Sequence, residues 1–352
     1  MLSRDNQIID LIWIDPAAIG LATSAEANIG NLLADAKTNY VLVCRESNFG
    51  RILPAPGADV TLIPISARGR LFAREWWVLR LTARILFRGQ KLFYTSWLPR
   101  LCFSALLLPI PCRIFVHDLN IFRARVHDAR FRQPSFLSRL HQYLSIKRAT
   151  IVQSFARSVA RQLKRLRRDV IPLVGQTVRI APQTAATKRG SNAVMFLDDR
   201  NYKGAWALDR LRSSKKNFEL TVIGTIEPAN VSLLKSRGIS VRALRPSNED
   251  KFKLLAQADY VIFASKYEGF GLPPREAAGV GTPALIARRA ALLDIPAGLS
   301  LSIDKLGDDV DLDDIPRLAA QIDRKALKQW ADEFTGPVST SWLVLPHAHP
   351  RQ

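Results

Sequence analysis

The chain has 352 residues, 47% hydrophobic and 23% charged, which suits two globular domains and excludes a disordered or fibrous protein. Its net charge of +20 is uneven: residues 1–180 hold 27 Lys/Arg against 11 Asp/Glu, and the remainder 24 against 20. A basic first half calls for an anionic partner (a membrane surface, an acidic glycan or a nucleic acid), with an Arg-rich composition as the plain alternative.

In chain order, Met1–Asp10 carries three charged residues and no apolar signal region. The longest nearly uncharged apolar run, Leu101–Cys112, has 12 residues and two prolines, short of the roughly 20 that a spanning helix needs. The three cysteines (Cys44, Cys102, Cys112) have no metal-ligand spacing and fit a reducing compartment, and neither they nor the five histidines suggest a held metal. A cytoplasmic protein is expected.

Short β-branched runs alternate with helical patterns, the mark of parallel α/β layers. Strands are expected at 8–14, 40–44, 61–65, 91–94, 113–116 and 150–153, and helices at 24–36, 71–87, 135–144 and 156–167. The pattern lapses in a Pro/Gln/Thr/Gly-rich stretch at 181–191, read as a linker. It restarts with strands at 193–197, 220–223, 241–244, 260–264 and 284–287, and helices at 203–211, 230–236, 248–256 and 274–278. The expectation is two doubly wound Rossmann-like domains, 1–180 and 192–335, facing across a cleft, with an irregular tail at 336–352. Ligands in such sheets bind beyond the carboxyl ends of the strands.

The most informative segment follows the strand at 260–264: Ser265-Lys266-Tyr267-Glu268-Gly269-Phe270-Gly271-Leu272-Pro273-Pro274-Arg275-Glu276-Ala277-Ala278. Gly269 and Gly271 permit close backbone approach and positive φ. Pro273 and Pro274 suit a helix's first turn, whose amides form an anion site suited to a diphosphate. Glu268 and Glu276 flank it, seven residues lying between them. With Gly281-Thr282-Pro283, this stretch resembles the retaining glycosyltransferases of the family-4 type, of GT-B fold. The resemblance implies that Glu268 binds donor-sugar hydroxyls and Glu276 the ribose. Gly269, Phe270, Gly271 and Leu272 would line the donor.

Weaker matches extend the likeness. Asn192–Gly204 resembles the strand whose following cations neutralise the donor diphosphate, which assigns Arg200 and Lys203, with Arg200 crowding Lys203 more closely than in many relatives. The loop Arg245-Pro246-Ser247-Asn248 would meet the nucleobase. Ile114-Phe115-Val116-His117-Asp118 resembles the first domain's His-Asp motif, implying that His117 reaches the donor sugar and phosphates. The Gly-rich turn of relatives survives only as Gly20 and Gly30, of which Gly30 is the better candidate. As plain alternatives, a lone His at a strand end is structural and loop cations are solvated.

The implied activity is transfer of a sugar, glucosyl or mannosyl in type, from a nucleoside diphosphate sugar to a hydroxyl of a glycan or lipid-linked acceptor, in bacterial cell-surface polysaccharide synthesis. The anomeric carbon would retain its configuration. No cofactor is required, and Asp198-Asp199 read as loop residues rather than a metal motif. On a helical wheel Arg70, Arg74, Arg80, Arg84 and Arg88 share an arc with Trp77 and Leu81, away from Phe72, Leu79 and Leu86. Such a stripe suits the inner face of a plasma membrane as well as a solvated helix face. Other readings are an epimerase or hydrolase on the same fold, a copy impaired by its atypical end after Phe334-Thr335, or a nucleic-acid binder. The last lacks recognisable reading elements, so no nucleic acid is expected.

Overall fold

The computed structural model describes residues 8–13, 38–45, 60–65, 70–97, 100–117, 135–172, 192–198, 203–215 and 218–334. The expected helix at 24–36, the linker 181–191 and the tail 336–352 lie outside them, as do Gly20, Gly30 and Arg200. The chain forms two compact units, each built on one parallel sheet.

The first unit holds β1 (Ile8–Trp13), β2 (Thr38–Arg45), β3 (Val60–Ile65), β4 (Lys91–Ser96), β5 (Cys112–Val116), β6 (Ile151–Ser154) and β7 (Ile171–Pro172). Their order is β3-β2-β1-β4-β5-β6-β7, all parallel, so the order reverses between β1 and β4. Burial on both faces explains why β1 and β5 are apolar except for Asp10 and Arg113. Helix α1 (Arg70–Arg88) ends at Gly89, which takes a φ of 65° and returns its N–H to the Ile85 carbonyl. Helices α2 (Phe103–Leu107), α3 (Phe136–Arg148) and α4 (Arg157–Leu163) complete the unit. The five-residue α2 is too short to stand alone. It starts where the Glu75 carboxylate of α1 accepts the Phe103 and Ser104 amides at 2.6 and 2.7 Å.

The outward face of α1 differs from the expected stripe. Arg74 and Leu81 are buried at 6% and 2% exposure, and Val78 lies between them against the sheet. Arg74 donates to the Leu101 carbonyl and stacks over Trp13. The exposed side chains are instead Phe72, Trp76, Leu79, Leu86 and Phe87, with Arg80, Arg84 and Arg88 also outward. The side chain of Arg70 is outside the described residues, and Trp77 is half-buried beneath Arg80.

The second unit repeats the winding with β8 (Asn192–Leu197), β10 (Phe218–Gly224), β11 (Ile239–Leu244), β12 (Tyr260–Phe263), β13 (Ala284–Ile286) and β14 (Ser300–Ser302) in the order β11-β10-β8-β12-β13-β14. A separate pair joins β9 (Leu211–Arg212) to β15 (Val310–Asp311). Alternation along the strands feeds two cores. Met195, Leu220, Tyr260, Ile262 and Leu285 pack on one face, while Val194 and Val261 meet Phe252, Leu255 and Ala277 on the other. Helices α5 (Pro228–Ser236), α6 (Asn248–Gln257), α7 (Leu272–Gly279), α8 (Ile315–Ala319) and α9 (Arg324–Asp332) cover them. Ser247 caps α6 by accepting the Asp250 amide, and Asp323 caps α9 through the Lys325 and Ala326 amides.

The helix expected at 203–211 is instead a 3₁₀ segment, Ala205–Arg210, with Leu211 already in β9. Gly204 breaks the pattern in a left-handed conformation, φ 116°. The shortest strands (β7, β9, β14, β15) and helices α2, α8 and α9 had no expectation in the sequence, being two to nine residues long or hidden in mixed patterns.

Candidate functional site

In the second sheet the strand order reverses between β8 and β12, so the crevice for a ligand opens beyond Leu197 and Phe263. Two segments meet there. Lys203 forms an isolated antiparallel bridge with Ser265, tying the chain after β8 to the chain after β12. The Trp206 indole donates to the Ala264 carbonyl at 2.5 Å, and the Lys266 ammonium lies 4.5 Å from its ring centroid. Lys203 Nζ donates to Glu268 Oε1 in an ion pair whose side chains are 22% and 13% exposed. Two residues 65 positions apart therefore share one partly buried site.

Glu268 enters a turn that ends in α7. Gly271, with φ 75° and ψ 64°, is the N-cap, a left-handed conformation that favours glycine. A Cβ there would lie 2.7 Å from Leu292 Cδ2. Leu272, Pro273 and Pro274 follow, so of the first three helical positions only Leu272 brings an N–H group. The anion site expected at this start is thus narrower than a four-amide helix terminus. Phe270 does not face outward; its ring is buried, and its carbonyl accepts from Arg275.

Glu276, 5% exposed on α7, pairs with Lys251 of α6 at 2.8 Å, and that ammonium stands 4.8 Å from the Phe252 centroid. Lys251 was not singled out in the sequence, because only the packing of α6 on α7 brings it to Glu276. Arg275, also unremarked, is 2% exposed. Its one sequence signal is a basic residue in a short helix whose only other charge is Glu276.

Beside these groups, the carboxyl ends of β10 and β11 line a pocket of about 290 Å³ with Gly224, Thr225, Ile226, Ala243, Leu244 and Arg245. Gly224 takes φ 129°, and a Cβ on it would lie 1.9 Å from the Leu197 carbonyl oxygen, so only glycine fits.

In the first unit, His117 directly follows β5. Its Nε2 meets the Trp97 carbonyl at 3.1 Å, and its ring lies 5.6 Å from Trp97 and 5.0 Å from Phe155. Burial among these rings lowers its pKa from 6.5 to about 4, so the imidazole is neutral at pH 7. With Nε2 as the donor to that carbonyl, Nδ1 remains an acceptor suited to a hydroxyl rather than a cation for phosphate. Behind it in the sheet, Asp10 of β1 accepts from Thr95 at 3.1 Å. Burial raises its carboxyl to about 6 despite the field of Arg113.

The structure therefore gathers Lys203, Glu268, Gly269, Gly271, Leu272 and Glu276 around the start of α7 in one unit, and sets His117 in the other.

Residues 152–295 match the sequence model of a family described as "Family 4 Glycosyltransferase in conflict systems". No curated protein sequence matches the chain. Among solved structures, a glycosyltransferase from Rickettsia africae ESF-5 superposes with a TM-score of 0.63 at 10% identity, covering 95% of each chain. Anabaena HepE in complex with UDP and glucose gives 0.59 at 13% identity over 96% of this chain and 97% of that one. The catalytic domain of starch synthase IV from Arabidopsis thaliana, bound to ADP and acarbose, gives 0.52 at 12% identity over 96% of each. The two parallel-sheet Rossmann-like domains and these superpositions are consistent with a GT-B fold.

Proposed function

We propose that the protein is a retaining glycosyltransferase that moves a sugar from a nucleoside diphosphate donor to a hydroxyl of a glycan or lipid-linked acceptor. One observation carries this reading: Lys203 and Glu268 meet at the reversal point of the second sheet, beside a glycine turn that opens a helix. A cation, the first-turn amide of Leu272 and a carboxylate suit a diphosphate and the sugar attached to it. Glu276, held by Lys251, would take the ribose, and the Gly224–Arg245 pocket the base.

In the reaction the bond from the anomeric carbon to the diphosphate oxygen breaks as the acceptor oxygen bonds to the same face. The acceptor proton passes to the leaving phosphate. Lys203 and the α7 start stabilise charge developing on that phosphate, and Glu268 holds the sugar's hydroxyls. His117 serves as a neutral hydrogen-bonding group toward the sugar.

The acceptor side belongs to the basic first domain. The outer face of α1 suits an anionic lipid surface, because its apolar residues Phe72, Trp76, Leu79, Leu86 and Phe87 are flanked by Arg80, Arg84 and Arg88. The single acidic residue of α1, Glu75, is occupied at the start of α2.

A thermal-shift screen against UDP-, GDP- and ADP-sugars tests the donor site, since a ligand at about 100 times its Kd adds about 2.7 kcal/mol to the folded state. One donor class is expected to raise Tm. Turnover of that donor, labelled in the sugar, should then yield a glycosylated acceptor. Free sugar or an epimerised nucleotide sugar as the sole product would overturn the transferase reading, and no shift with any donor would overturn the donor site.

A further inference from the structure

The donor turn is flanked by a buried cation that the reaction scheme above does not use. Arg275 sits in the first turn of α7, yet it is 2% exposed. The field of Asp294 favours its charged form, against the larger effect of burial. Burying a guanidinium without a carboxylate is unfavourable unless other groups compensate. Burial lowers its pKa to about 9, which leaves it a cation at neutral pH.

The compensating groups are specific. Nη1 reaches back one helical turn to donate to the Phe270 carbonyl and, at 3.2 Å, to the Gly271 carbonyl. The guanidinium carbon lies 3.9 Å from the Phe270 ring centroid, 5.2 Å from Phe334 and 5.5 Å from Trp330. Phe334 in turn meets both Phe270 and Trp330 edge-on, at 5.8 and 5.2 Å. Trp330 belongs to α9 and Phe334 follows it, so one cation joins the glycine turn to an element some 55 residues downstream.

The same helix touches the other end of α7. Arg324 donates to the Gly281 carbonyl at 3.1 Å, and a Cβ on Gly281 would lie 2.7 Å from Lys328 Cε. The N-cap Gly271 has no side-chain cap of its own, and two of the next three residues are prolines. The carbonyls that fix its left-handed conformation are therefore held from within the helix.

We infer that Arg275 is the positioning residue of the donor turn. Clamped by Trp330 and Phe334, it sets the conformation of Phe270-Gly271 and with it the direction of the Leu272 amide and the Glu268 carboxylate. The role as a donor turn rests on the function proposed above; the clamp itself does not.

The test compares Arg275→Met, Arg275→Lys and Phe334→Leu with wild type in two measurements. The first is amide exchange of a peptide spanning residues 266–272, without added nucleotide. In folded Arg275→Met, exchange there should rise about tenfold while β10–β11 peptides keep their protection. Arg275→Lys and Phe334→Leu should give smaller rises in the same peptide. The second is affinity for UDP, GDP and ADP: the nucleotide that binds wild type should bind Arg275→Met about tenfold more weakly. Unchanged exchange in the turn, or a rise spread evenly over the whole second unit, would overturn the clamp. Should Arg275→Met not fold, Phe334→Leu decides by the same criterion. If wild type binds none of the three nucleotides, the functional reading fails, and the exchange measurement still decides the clamp.

Discussion

Glu268 and Lys203 form an ion pair, so a diphosphate bound as proposed would compete with Glu268 for Lys203. Deleting one partner strands the other charge in a partly buried place, and a neutral isostere probes the chemistry better than alanine. Glu268→Gln and Lys203→Met are expected to lower kcat about 10²- to 10³-fold while the proteins unfold cooperatively near the wild-type midpoint. Turnover within a few-fold of wild type would remove the assigned roles. His117 and Asp10 make opposite demands on pH. His117 titrates at about 4 when folded against 6.5 when unfolded, so the stability it confers is present above 6.5 and is lost as pH falls toward 4. Asp10 titrates at about 6 when folded against 3.8, so its contribution is present below 3.8 and is lost as pH rises through 6, on the order of 3 kcal/mol. Urea midpoints between pH 4 and 7.5 should separate them: Asp10→Asn removes the loss on raising pH, and His117→Asn the loss on lowering it. Curves parallel to wild type for either variant would contradict that residue's shift.

At the scale of the element, α1 shows what periodicity settles and what it leaves open. Its 3.6-residue pattern made a helix over 71–87 legible, but its apolar residues lie on two sides. A wheel cannot tell which side meets a sheet. Packing chose the Arg74, Val78 and Leu81 side and turned Phe72, Trp76, Leu79, Leu86 and Phe87 outward. Sedimentation with vesicles tests the outer face. Binding is expected to phosphatidylglycerol-containing vesicles, weakened by salt, and far less to pure phosphatidylcholine. Leu86 and Phe87 are 80% and 89% exposed, so Leu86→Asp with Phe87→Asp should leave the fold intact. Withdrawing two such side chains at about 1.5–3 kcal/mol each should weaken vesicle binding at least tenfold. Undiminished binding would exclude this face. The turn before α7 is the contrasting element: its glycines, prolines and glutamates identify its geometry, because each residue type there answers a local backbone demand. Two features depart from expectation: the prolines narrow the anion site, and the Phe270 side chain serves the core.

At the scale of the whole molecule, alternating strands and helices made two parallel-sheet domains legible in the sequence, because mostly apolar strands need helices on both faces. The strand order, with each reversal at the first and fourth strands of a sheet, agrees with that reading. Most elements left unread were the shortest, whose few residues carry no period; the nine-residue α9 is the exception. The sequence by itself determined the fold class, the Ser265–Pro283 turn and the candidate pair of glutamates, since these depend on local conformation and spacing. Only the tertiary structure decided that Lys203 pairs with Glu268, that Lys251 holds Glu276, that Arg275 is clamped under Trp330 and Phe334, and which side of α1 faces outward. Each of those is a contact between segments distant in the chain or a choice between two similar faces. Such choices are made by burial and charge compensation in the assembled core, which no local pattern encodes.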